Sequence, residues 1–109
     1  MNPKLLLRLG PAMVMIIFGL HQLTSPDYWY KFVPQWLPVD HQSFMRLHAL
    51  GNIALGVWLL SGVKLYWSTF VALIWFLTIS SVALTVQWDI GVRDLAISSG
   101  LAGLLLLAR

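Results

Sequence analysis

The chain has 109 residues, of which 59% are hydrophobic and 10% charged; it has no cysteine and carries a formal charge of +3. That length bounds it to one domain, and with a mean hydropathy of +0.78 the composition excludes an ordinary soluble domain in favour of an integral membrane protein. The missing cysteines remove disulfide, thiol-redox and thiolate-metal chemistry, and without a Lys/Arg run or a basic-aromatic patch the positive charge reads as membrane topology, not as nucleic-acid binding.

A first span is predicted from about Leu5 to Leu23, close to the roughly 20 residues a bilayer requires. Pro11 lies inside it, and Gly10, Val14, Ile17 and His21 share one face by helical periodicity. That places His21 near the far end, on the face Gly10 opens to a neighbouring helix. The Lys4/Arg8 flank and apolar run lack a small-residue cleavage site after them, so the segment is expected to stay as a span rather than leave as a signal peptide.

Thr24 to Ser43 cannot span a membrane, because Pro26, Pro34 and Pro38 interrupt it. Ser25-Pro26 reads as a helix start, with Pro34 ending that helix within two turns. Tyr28, Trp29, Tyr30, Phe32 and Trp36 make the segment aromatic, which suits a short helix lying in the membrane interface. Two roles are open to it: an aromatic belt, or a lid over a site formed by the helix ends.

The second span is predicted from about Phe44 to Gly62, a short connection at Val63-Lys64 follows, and the third runs from about Leu65 to Trp88. His48 and Asn52 lie one turn apart on one face of span two, and a polar pair inside an apolar span points at a neighbour or a cavity. Arg46 falls on another face and reads as interfacial. Thr78, Ser81 and Thr85 form a polar stripe in the second half of span three, whose plain explanation is hydroxyls bonding their own helix or gluing helices together. Trp88, with Gln87 and Asp89, is placed at the rim. A fourth span is predicted from about Gly91 to Ala108, with Asp94 and Ser98 on one face and Ser99 and Gly103 forming a small-residue contact surface. Arg93 and Asp94 point about 100° apart, so they need not pair with each other.

The expected fold is therefore an all-α membrane protein: a four-transmembrane-helix bundle with a short interfacial helix between spans one and two. Lys4, Arg8, Lys64 and Arg109 fall on one side. Lys31, Arg46 and Arg93 fall on the other with all four acids, Asp27, Asp40, Asp89 and Asp94, so both termini are expected in the cytoplasm. His21, His48, Asn52, Thr78, Ser81, Thr85, Asp94 and Ser98 then gather in the outer halves of four antiparallel spans, with Trp88 at their rim. The opposite halves, such as residues 55–60 and 103–107, are nearly all apolar. The expectation is a one-sided polar pocket, not a pore.

His21 and His48 at similar depth would permit a bis-histidine haem, although two histidines without further haem signals argue against it. A zinc site would need to enlist His41 and Asp40, and no metal is expected. Hydrogen bonding within the bundle or to a small polar head group fits these histidines better.

Three segments resemble the DoxX family of small four-span membrane proteins. FGLHQL (residues 18–23) is similar to the end of that family's first span. GNIALGVWLLSG (51–62) is similar to its second span, and VRDLAISSGLAGLLL (92–106) to its closing Arg-Asp-Leu helix. The aromatic insert PDYWYKFVPQWLP (26–38) also resembles that of many relatives, so the likeness covers nearly the whole chain. Gln22 stands where the family usually has lysine and Asn52 where it usually has glutamate, so an ion pair or proton transfer built on those charges is absent.

The resemblance implies a bacterial or archaeal cell membrane and an accessory or quinone-associated subunit of a membrane oxidoreductase system. Its partners would be the bilayer and a membrane or soluble oxidoreductase subunit, and a homo-oligomer is compatible with it. A small transporter is the competing expectation. Proton-coupled multidrug exporters need a buried glutamate, and this chain has no Glu. A structural or assembly partner without catalysis is the third. Four-helix enzymes of the vitamin K epoxide reductase type need redox cysteines and are excluded.

Overall fold

The computed structural model describes residues 3–108; Arg109, counted above among the charges of the termini, lies outside them. The chain forms α1 (Pro3–Thr24), α2 (Pro26–Trp29), a 3-10 turn at Tyr30–Phe32, α3 (His41–Ser61), α4 (Leu65–Val86) and α5 (Trp88–Ala108). Helices α1, α3, α4 and α5 are each long and apolar enough to cross a membrane. The protein is thus an all-α membrane bundle of four helices, with the short α2 between the first two long ones.

Helix ends follow local chemistry. Asp40 caps α3: its Oδ2 accepts from the Ser43 backbone N–H at 3.2 Å and from the Ser43 hydroxyl at 2.9 Å. This cap starts the helix at His41, earlier than the expected Phe44. Gly62 ends it with φ +77°, its N–H bonded to the Leu59 carbonyl, a left-handed position where a side chain would be strained. Between α4 and α5 only Gln87 leaves helical geometry, so Trp88, expected to end span three, instead begins α5.

Lipid offers an apolar helix no reason to bury its largest side chains, so close packing between helices falls to small ones. Helix α1 packs chiefly against α3, and α4 against α5, with looser contacts between the two pairs. In the first pair the fit is tight. A Cβ on Gly19 would lie 2.6 Å from Ile53 Cγ1 and 2.9 Å from the Ala49 carbonyl oxygen; one on Gly56 would lie 2.7 Å from Ile16 Cγ1 and 3.0 Å from the Ala12 carbonyl oxygen. Ala12 and Gly19 on α1 thus interlock with Gly56 and Ala49 on α3. Large apolar residues such as Ile17, Leu47, Ile74 and Leu106 face outward, each at least half exposed, as lipid-facing positions do.

The buried face of α1 is Ala12, Met15, Gly19 and Gln22. This corrects the expectation that Gly10, Val14, Ile17 and His21 form the packed face. Gly10, Ile17 and His21 are exposed, and a Cβ on Gly10 would touch nothing. The apolar core of Met15, Leu55, Leu59, Phe76, Leu101 and Leu104 fills the half nearer the termini. Ser68 and Thr69 are also fully buried in that half, so it is less purely apolar than its α3 and α5 segments suggested.

Candidate functional site

A cavity of about 340 Å³ lies between the two helix pairs, at the end where the Ser25–Asp40 connection crosses the bundle. Phe18, Phe44 and Phe76 supply part of its wall from the long helices, and Trp29, Phe32 and Trp36 supply another part from the connection. The connection is anchored: Trp29 and Val33 are buried against Met45, with Phe18 and Phe44 packed around them, and Trp29 Nε1–H donates to His21 Nδ1 at 2.8 Å. It is therefore a structural wall of the cavity.

The polar groups of the lining are Gln22, His48, Asn52, Thr78, Arg93 and Asp94. Their centre is a chain of hydrogen bonds across three helices. Trp75 Nε1–H on α4 donates to Asn52 Oδ1 on α3 at 2.6 Å, and Asn52 Nδ2–H donates to Gln22 Oε1 on α1 at 2.9 Å. Gln22 and Asn52 are both buried, and such amides are costly in an apolar interior unless paired. The Trp75 indole reaches Asn52 by lying across α3 at Gly51, where a Cβ would come within 2.5 Å of its Cη2. The same indole stacks on the His48 ring, with centroids 4.9 Å apart and planes within 8°. The Phe44 ring is also parallel to His48, with centroids 6.4 Å apart.

On α5, Arg93 curls back onto its neighbour: its Nη2 lies 3.1 Å and its Nε 3.3 Å from Asp94 Oδ1. The long arginine side chain closes the angle that separates adjacent residues on a helix, so the two do pair. Arg93 also lies over the Phe18 ring at 4.9 Å, a cation–π arrangement that keeps the guanidinium at the cavity wall. Outside the spans, Asp40 has its carboxyl held below the usual range, first by the Ser43 hydroxyl and then by its backbone N–H.

Of the nine residues expected to line a site, the cavity brings together His48, Asn52, Thr78 and Asp94. His21 does not line it; this end of α1 turns Gln22 inward and His21 outward, so the two histidines do not face a common space. Ser81 and Thr85 lie in a separate shallow groove beside Lys31 and Trp36. Ser98 is buried with its hydroxyl on the Asp94 backbone carbonyl at 2.9 Å, and Trp88 is exposed and lines neither space. The hydroxyls of Thr78, Ser81 and Thr85 all bond carbonyls of their own helix, and the inward-facing serine in the second half of α4 is Ser80. Sequence reading passed over Gln22 and Trp75 as site residues. The available signal for Gln22 was a polar amide one turn from Gly19, since small residues mark the packed face of a membrane helix. Comparison with the models of known families, with curated proteins and with solved structures finds no match.

Proposed function

We propose that this protein is a DoxX-like membrane subunit that holds a small, amphipathic, quinone-like molecule, acting as an accessory component of a membrane oxidoreductase system. The observation that carries this reading is the cavity itself. It is mostly apolar and aromatic, with a few polar groups converging on it from α1, α3 and α5, the composition expected of a small-molecule site. Phe44 and His48, which both line the cavity, hold their rings parallel, and this favours a flat ligand. A further point supports the family assignment: Gln22 and Asn52, the two departures from its usual lysine and glutamate, are direct hydrogen-bond partners. A neutral amide pair in place of an ion pair is a paired substitution, as one contact exchanged for another requires. With both termini in the cytoplasm, the cavity occupies the outer half of a bacterial or archaeal cell membrane.

Titration of the detergent-solubilised protein with a short-chain quinone tests the reading. Saturable binding is expected, weakened about fivefold by His48→Ala through loss of one aromatic stacking contact. Absence of saturation, or affinity unchanged by His48→Ala, would remove it. A second reading, a structural or assembly partner, rests on one specific observation. Gly100 and Gly103 face outward on α5 with nothing within reach of a Cβ, a surface that allows close approach of another helix. Co-purification of an intact oxidoreductase with an empty cavity would favour that second reading.

A further inference from the structure

The polar wall of the cavity has a direction. An indole N–H can only donate, so the bond from Trp75 Nε1 to Asn52 Oδ1 fixes which end of the Asn52 amide faces α4. The other end, Nδ2, is thereby turned to α1, where it donates to Gln22 Oε1. That bond occupies the Gln22 carbonyl and leaves its Nε2 amide group facing outward from the pair. Gln22 is only 4% exposed and lines the cavity. Its Nε2 has no hydrogen-bond partner among the described residues. Its N–H donors stand in a largely apolar wall, and a ligand atom that accepts would give them a partner. Asp94, the one carboxylate in the lining, already holds the Arg93 guanidinium, so the wall offers no free negative charge to a cation.

We propose that the cavity selects a planar ring bearing a carbonyl oxygen, and that this oxygen accepts a hydrogen bond from Gln22 Nε2. Trp75, which does not line the cavity, acts as a positioning residue: through Asn52 it holds Gln22 in the donor orientation. The proposal rests on the reading of this cavity as a quinone-like ligand site, and adds to it which side chain donates to the ligand's carbonyl and which residues orient that donor. A ligand that must donate at this position, such as an amine or an ammonium group, would meet donors with donors. A hydrocarbon ring of the same shape would leave the Gln22 amide unsatisfied.

The test compares 1,4-naphthoquinone with naphthalene, the same fused ring without oxygens, on the full chain in nanodiscs, correcting both for partition into protein-free discs. The quinone is expected to bind about tenfold more tightly, the value of one buried hydrogen bond. Isotope-edited infrared spectra of carbonyl-labelled quinone should show one bound carbonyl shifted to lower wavenumber. Gln22→Leu, close in volume, should abolish that shift and bring the two affinities together. Trp75→Phe leaves Gln22 in place but frees the Asn52 amide to rotate, so the shift should weaken and broaden. An unaltered carbonyl band in Trp75→Phe would overturn the positioning role even if Gln22→Leu fails to fold. Naphthalene binding as tightly as naphthoquinone would overturn the acceptor selectivity while leaving an apolar ligand site. Failure of both to saturate would remove the ligand site and this proposal with it.

Discussion

Asn52 and Gln22 are 30 residues apart in the chain and meet because α1 and α3 pack closely enough for two short amides to touch. Their pairing gives a direct test at the level of single residues. Gln22→Lys alone or Asn52→Glu alone places one charge in a buried position without an opposite partner, at a cost of about 3–5 kcal/mol. The double substitution Gln22→Lys with Asn52→Glu supplies that partner, so most of the loss should be recovered. A double-mutant cycle on unfolding in mixed detergent reads the coupling, and additive losses would show that the two positions do not interact. Removing the pair's polarity is milder. Asn52→Ala should cost about 0.6–1.7 kcal/mol, the range for hydrogen bonds between membrane helices. At this scale the sequence was partly legible: a histidine and an asparagine one turn apart in an apolar run announced themselves. Gln22 did not, because residues 9–20 of α1 are apolar on every face and the 3.6-residue period cannot choose between two apolar faces. Burial in lipid follows side-chain size as well as polarity, so Ala12 and Gly19, not Ile17, mark the packed face, and Gly10 is a small residue on the open side.

The helices owe their arrangement to these small residues and to their caps. Gly19→Leu forces a side chain into Ile53 and the Ala49 carbonyl, so α1 and α3 should separate at a cost of about 1–3 kcal/mol, the usual range for overpacking. Gly103→Ala meets nothing within 4 Å and removes a poor helix former, so it should be neutral or stabilise by up to about 1 kcal/mol. Equal losses from the two substitutions would contradict this packing, and detergent-denaturation midpoints distinguish them. The first turn of α3 carries a pH dependence of known sign. Its cap, Asp40, has a carboxyl held below its ordinary value by Ser43. A carboxyl lowered on folding stabilises at pH above its unfolded value, and that contribution is lost as pH falls through the lowered folded value. Amide hydrogen exchange at Ser43, corrected for intrinsic rates, should therefore lose protection on acidification in the natural chain. In Asp40→Asn, whose side chain does not titrate, protection should stay flat. The short α2 was legible from Ser25-Pro26 and Pro34. Its burial against Met45 was not, because that contact joins residues which no local pattern links.

For the molecule as a whole, the four-helix membrane architecture followed from composition and run length, since only helices or closed barrels satisfy the backbone in lipid. The cavity did not follow from them. It exists because α1 with α3 and α4 with α5 form close pairs that meet loosely, and because the Ser25–Asp40 connection folds across the gap at one end. The proposal for which side of the membrane that end faces rests on charge. Lys4, Arg8 and Lys64 stand at the other end, and Arg93, one of three cations at the cavity end, is drawn onto Asp94 and Phe18. Under the orientation proposed above, with more cations on the cytoplasmic side, the cavity would face away from the cytoplasm. Because the chain contains no cysteine, single introduced thiols report this against no background. Trp36, 80% exposed on the connection, and Val63, 60% exposed between α3 and α4, lie at opposite ends. Trp36→Cys should react with a membrane-impermeant maleimide on intact cells, and Val63→Cys only after permeabilisation. The reverse pattern would invert the topology and open the cavity to the cytoplasmic leaflet, where a different set of partners would meet it.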